Sequence, residues 1–275
     1  GSSSLRYNTT GNNNVALGRD ALFSNTTVSN LVAVGYQALY SNTTGTENTA
    51  VGYQALYRNT TGVTNTANGY SALFNNTTGS SNVAIGRNAL LSNTTGYGST
   101  ANGVNALYSN TEGYINTANG YNALYSNSIG YFNTANGNSA LYNNTIGNLN
   151  TANGANALIS NITGSNNTAL GRNADVATSA QTYSTVIGSE AIVSTDNTIK
   201  LGRSTEDSVV IGQDGAVSSA KLAVASTTQG FLPPVMTTAN RDSISSPTRG
   251  LMIYDSSVDK VSVYNGTIWK YLAYE

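Results

Sequence analysis

The chain has 275 residues, only 9% of them charged, and a formal net charge of -1, so it has no basic field to hold nucleic acid or an anionic membrane. It has no Cys and no His, which removes disulfides, Cys nucleophiles, His-based triads and the usual zinc sites together. Neither a secretory signal nor an apolar run long enough for a membrane-spanning helix is present, and no cofactor or metal is expected.

Residues 1–174 are one unit repeated. In Asn48-Thr49-Ala50-Val51-Gly52-Tyr53-Gln54-Ala55-Leu56-Tyr57-Arg58-Asn59-Thr60-Thr61-Gly62, the first glycine recurs every 17 residues from Gly18 to Gly171. The second recurs at the same step from Gly11 to Gly164, broken only by Val28. Low charge with abundant Asn, Thr, Ser and Gly also suits disorder, but a disordered chain has no reason to keep phase. A strict period of this size marks a solenoid, each copy one coil stacked on the last. Gly1, Leu5 and Asn8 fall in the same register, so the chain opens in the middle of a coil, as a piece of a longer fibre would.

Within a unit, Thr49-Ala50-Val51 and Ala55-Leu56-Tyr57 read as two short strands joined by two turns. The glycines supply positive φ or close backbone approach at the corners. Asn59 and its equivalents suit a turn and, stacked, an asparagine ladder. Two alanine columns (Ala16 to Ala169 and Ala21 to Ala174) and one leucine column (Leu22 to Leu158) form the core. At about 25 cal/mol per Å² of apolar burial, against about 1.5 kcal/mol of entropy per ordered residue, such a core is thin. Two further copies of the chain, arranged as a parallel homotrimer, would supply the missing burial.

The column before the first glycine is mixed. Leu17, Val34, Val51, Ile85 and Leu170 alternate with Asn68, Asn102, Asn119, Asn136 and Asn153. Unpaired in a dry core, each asparagine would cost a few kcal/mol. Two readings survive: a trimer axis, where rings of Asn hold water or an anion, or a solvent face. The axis is the expected position of this column. Aromatic columns follow the leucine (Tyr40, Tyr57, Phe74), the first glycine (Tyr36, Tyr53, Tyr70) and the second glycine (Tyr97, Tyr114, Tyr131). Such columns cover thin coils and pack between subunits; those at turns, Tyr97, Tyr114 and Tyr131, are also candidates to stack sugar rings. The Thr49 column raises an ice-binding face, although Thr is also ordinary strand chemistry. The Asn-Thr-Thr triplets are formal glycosylation sequons that serve as turns.

In residues 175–217 the period loosens, although Gly188 still falls 17 beyond Gly171. Asp175 stands where the leucine column would continue, and Gly202 follows Gly188 after 14 residues. Eight charged residues lie in 1–174 and seventeen in 175–275, as expected where a cap or neck ends the solenoid. Residues 218–229 read as a connector and 230–275 as a small β domain. Pro233-Pro234 forces an extended entry, and Thr238 can cap a short helix over Ala239–Ile244. Leu251–Tyr254 and Val261–Tyr264 are expected strands, and Asn265-Gly266 is a hairpin turn into Ile268–Leu272. Tyr264 and Trp269 are its candidate receptor contacts.

The repeat Asn-Thr-Ala-Val-Gly-Tyr-Gln-Ala-Leu-Tyr-Ser-Asn-Thr-Thr-Gly resembles the head repeats of trimeric autotransporter adhesins. It is closer still to the longer-period version in phage tail fibres and related bacterial surface fibres. Asn173–Val176 through Thr198–Gly202 resembles the neck that ends such repeats. Gly230–Thr238 to Asn265–Trp269 resembles a C-terminal module of tail-fibre proteins. The resemblance implies an all-β, trimeric, left-handed parallel β-roll and supplies no receptor.

The function expected is that of a structural fibre on a phage tail or phage-like contractile injection particle. It would be joined upstream to a fibre or baseplate protein and present a C-terminal tip to a cell-surface glycan or protein receptor, multivalently and without catalysis. Localisation on a virion tail or extracellular particle follows, which the absence of Cys also fits. The alternatives are a bacterial cell-surface trimeric adhesin, an ice-binding solenoid and a polysaccharide depolymerase. A depolymerase needs paired carboxylates about 5–9 Å apart; Glu206/Asp207 and Asp255/Asp259 are the available pairs, and neither lies in a recognisable motif.

Overall fold

The computed structural model describes residues 1–203 and 233–272, and the chain divides into two compact units, Gly1–Val209 and Val210–Glu275. The first is the expected parallel β-solenoid. Its strands are Val15–Leu17 (β1), Val32–Val34 (β2), Thr49–Val51 (β3), Thr66–Asn68 (β4), Val83–Ile85 (β5), Thr100–Asn102 (β6), Thr117–Asn119 (β7), Thr134–Asn136 (β8), Thr151–Asn153 (β9), Thr168–Leu170 (β10), Asp175–Val176 (β11), Thr185–Ile187 (β12), Ile192–Val193 (β13) and Ile199–Leu201 (β14). β1 to β10, β12 and β14 form one 12-stranded sheet of sequential neighbours. Every pairing in it is parallel and places each residue on its equivalent one coil on, as in Thr49↔Thr66, Ala50↔Ala67 and Val51↔Asn68. In β1 to β10 the central alanine points inward and its neighbours outward, which is the period-2 geometry of a strand.

The two glycine columns meet different needs. Gly52 has φ +136, and a Cβ there would strike the carbonyl of Gly69. Gly62 has no such dihedral, but a Cβ would meet the Gly79 carbonyl and the amide of Asn59. Close coil-to-coil approach excludes a side chain at both corners.

Ala55-Leu56-Tyr57, expected as the second strand of the coil, is not one; it is part of a continuous turn over residues 53–58. The reason is geometric. Ala55 and Leu56 are both fully buried, whereas successive residues of a strand point to opposite faces. The chain turns both inward by placing Gln54 (φ 53) and Leu56 (φ 51) in the left-handed region. Such a dihedral costs about 1–3 kcal/mol in a non-glycine residue, offset at Leu56 by complete burial, worth about 1.5–3 kcal/mol. Coil-to-coil hydrogen bonds persist through the turn, from Leu56 N to Ala72 O and from Arg58 N to Phe74 O, both 3.0 Å. Among the described residues a second strand per coil appears only where the repeat loosens: β11 pairs with β13; in β13 Val193 is buried while Ile192 faces out, whereas Asp175 and Val176 of β11 are both buried. From Ala21 to Ala174 the core is chiefly the expected pair of alanines and one leucine per coil, with Val28 and Leu31 added in one coil; beyond it Val176, Val186, Ala191 and Val193 continue the core.

The ladder expected at Asn59 is present, and a second one accompanies it. Asn59 donates to Asn42 Oδ1 at 2.9 Å and to Gly62 O at 3.0 Å. The pattern repeats from Asn76 to Asn161. The second column is Asn48, Asn65, Asn82, Ser99, Asn116, Asn133, Asn150 and Asn167, all buried. Asn48 donates to Gly62 O at 2.7 Å and accepts the backbone N–H of Asn65 at 2.9 Å. From Asn42 onward both polar atoms of each amide in these ladders therefore have partners, which makes a polar core affordable.

The second unit contains Val235–Met236 (β15), the helix Thr238–Asp242 (α1), Met252–Asp255 (β16), Lys260–Tyr264 (β17) and Trp269–Tyr271 (β18). Its sheet runs in the order β15-β16-β17-β18, parallel at the first pairing and antiparallel at the other two. The helix cap is Thr237, not Thr238; its side chain accepts from Asn240 N. Thr238 instead donates to the Asp255 carboxylate at 2.8 Å. The hairpin forms at Asn265-Gly266 as a four-residue loop, with Tyr264 paired to Trp269. It is held by Asn265 Oδ1 accepting from Thr267 N and Ile268 N, both at 2.9 Å. The proposed connector 218–229 and Gly230–Leu232 lie outside the described residues.

Candidate functional site

Three surfaces of the described residues carry features that the fold alone does not require. The first is the corner formed by residues 60–64 and their equivalents. Its left-handed column holds Asn13, Asn30, Glu47, Thr64 and Ser81, then Gly98, Ile115, Phe132 and Leu149, then Asn166. A β-branched or bulky residue at φ 53–58 is a genuine outlier. Ile115, Phe132 and Leu149 are also 42–50% exposed, so neither backbone preference nor burial explains them. Ile129, Ile146 and Ile162 are exposed on the same corner, where other coils carry Thr, Ser or Glu.

Tyr97, Tyr114 and Tyr131 belong to this corner. Their rings stack with centroids 5.0 and 4.9 Å apart and interplanar angles of 5° and 3°. Phe132 meets Tyr114 and Tyr131 edge-on at 5.8 and 5.6 Å. Both faces of Tyr114 are thus covered by its neighbours, and the stack presents ring edges and hydroxyls. Partial burial, followed by the adjacent phenols of Tyr131 and Tyr97, holds the Tyr114 hydroxyl above the ordinary tyrosine pKa.

The second surface is the outer face of the 12-stranded sheet. Asn68 and Asn102 are exposed, while Asn119, Asn136 and Asn153 are half-buried. These last three form a chain, Asn119 donating to Asn136 and Asn136 to Asn153, each at 2.8 Å. Leu17, Ile85 and Leu170 in the same column are exposed. The column therefore points away from the core of its own chain, as both sequence readings required.

The third surface is in the second unit. Tyr264 and Trp269 are cross-strand neighbours with ring centroids 5.4 Å apart, tilted by 58°. The Arg241 guanidinium lies 5.8 Å from the Trp269 ring and pairs with buried Asp255 at 2.9 Å. Asp255 is fully enclosed, accepting from Thr238 and Arg241, and Asp259 accepts from the Tyr254 hydroxyl. Both carboxylates are thus hydrogen-bonded to side chains of their own unit. Glu206 and Asp207 lie outside the described residues. Among the described residues no cluster of acidic side chains fits a metal ion, and no helix is long and apolar enough to cross a membrane.

Reasoning from the sequence found the Tyr97 stack and the Asn119 column but missed Ile115, Phe132 and Leu149. The signal was available as an apolar interruption of a polar column at the 17-residue step.

No curated protein matches the chain. Residues 210–274 match a family model described as a phage tail like trimerisation region. A repeat solenoid joined to a trimerisation region of phage-tail type supports a structural, trimeric, tail-fibre-like protein.

Proposed function

We propose that the chain is a non-enzymatic fibre of a phage tail or phage-like contractile injection particle. Three copies lie in parallel, an upstream fibre or baseplate protein holds them, and the assembly attaches to a cell-surface receptor. The outer strand face carrying Asn68, Asn102, Asn119, Asn136 and Asn153 faces the neighbouring copies. This orientation gives the exposed Leu17, Ile85 and Leu170 a partner and brings equivalent amides together around an axis.

The observation that carries attachment is the corner at Ile115, Phe132 and Leu149, where strained, exposed apolar residues replace polar ones for three consecutive coils. With Tyr97, Tyr114 and Tyr131 it forms an amphipathic surface with a single carboxylate, Glu112, beside it, suited to a glycan or an apolar protein patch. Tyr264 and Trp269 are a second candidate contact. Three copies of a weak site act together through effective concentration.

The test returns the corner to the residue types found elsewhere in its column, as Ile115→Thr, Phe132→Ser and Leu149→Asn combined. Sedimentation is expected to give the mass of three chains for both parent and variant, and adhesion to susceptible cells or their envelope glycans is expected only from the parent. Equal adhesion would remove the corner from the function. Shortening of the glycan chains on incubation would replace attachment with depolymerisation.

A further inference from the structure

The sheet of the second unit has two unlike faces. The register sets Met252 opposite Val263, Val261 opposite Tyr254 and Tyr254 opposite Val235, which puts these five side chains on one face. Leu272, whose N–H donates to Val261 O at 2.9 Å, adds to that face. On the other face Ile253, Asp255 and Ser262 are buried, and α1 lies over them through the bonds of Thr238 and Arg241 to Asp255. The first face remains open to solvent among the described residues, with Val235, Met252 and Leu272 40–54% exposed.

The geometry points to this open face as the surface through which three copies of the chain associate. The inference rests on the trimeric reading above and specifies where in the C-terminal unit the contact lies. A sheet that covers one face with its own helix needs a second layer on an apolar opposite face. The matched trimerisation region spans all six residues, which makes further copies of this chain the natural cover. A polar ligand finds little here: Lys270, paired with Val263, is the one charged side chain of these strands on that face, and the Tyr254 hydroxyl is already tied to Asp259. Identical apolar faces arranged around a threefold axis bury one another without any other partner.

The chain has no cysteine, so one introduced thiol is the only one present. In the full chain, Val263→Cys and Met252→Cys are compared with Ser245→Cys, which lies beyond α1 and is exposed. A short flexible bis-maleimide is added, and the uncoupled samples are sedimented beside the parent. With the face at the interface, thiols on it are held at high effective concentration, and covalent dimer should form at least about tenfold more than from Ser245→Cys. A trimeric parent whose face thiols couple no better than Ser245→Cys overturns this inference and leaves the trimeric reading standing. A monomeric parent overturns both.

Discussion

Asp175 occupies the position that would continue the buried leucine column. Its carboxylate accepts from Ser160 N at 3.2 Å and from Val176 N at 2.9 Å. Burial is the dominant influence and raises its pKa; the hydrogen bonds only partly oppose this. With the folded value above the unfolded one, the group's contribution to stability is full below the ordinary carboxylate pKa. It is lost as pH rises through the raised value. Ionised Asp175 thus weakens the end of the repeat stack at neutral pH. Asp175→Asn keeps the shape without the charge and should raise the melting temperature at pH 7, with the gain shrinking toward pH 3, as thermal unfolding at the two pH values would register. The sequence marks Asp175 as a departure from the column. It does not reveal that three backbone-derived contacts hold the carboxylate in place, because those depend on how the coil beneath it turns.

Among whole elements, the coil holding Val28 and Leu31 differs from the rest. Val28 replaces a corner glycine and Leu31 an asparagine of the second ladder, and both are buried. Asn25 Oδ1, which equivalent coils use as an acceptor from the next asparagine, is buried without a partner. The two substitutions form one apolar plug in a polar ladder. Val28→Gly alone should leave a void, and Leu31→Asn alone should bury an amide against a valine, each lowering stability. The double variant regains the ladder and should recover much of the loss. A coupling of about 1–3 kcal/mol from a double-mutant cycle of denaturant unfolding is expected; additive effects would show that the two positions act independently.

Much of the coil is legible in its residues. The strand at Thr49–Val51, the corner glycines and the ladder at Asn59 follow from residue type, since each residue does what it ordinarily does. The turn at Ala55-Leu56-Tyr57 does not, because leucine seldom adopts a left-handed dihedral and nothing in its identity announces one. Only the Asn, Gln and Ser residues two positions earlier, a column that tolerates such dihedrals, hint at it. The apolar residues beside the Tyr97 stack are hidden for a related reason: Ile115, Phe132 and Leu149 stand out only against the rest of their own column.

For the whole molecule, stability resides in interfaces between like coils, so it should scale with their number and tolerate loss of a complete unit. Deleting residues 100–116 joins Ser99 to Thr117 and keeps every column in phase. Circular dichroism should retain the parent's β signal, with unfolding still cooperative and somewhat easier. Deleting 100–108 instead removes part of a coil and sets glycines against side chains; the glycine corners leave no room for a Cβ, so that variant should lose the cooperative transition.

The unbroken 17-residue step also acts as a graduated scale. From Gly18 to Gly188 there are ten steps, each advancing about 4.8 Å along the stack, or about 48 Å in all. Inserting or removing whole coils moves a surface such as the Ile115 corner along the fibre in increments of about 5 Å without altering its chemistry. Reach and recognition can then vary separately, one by counting coils and the other by changing the few residues that interrupt them.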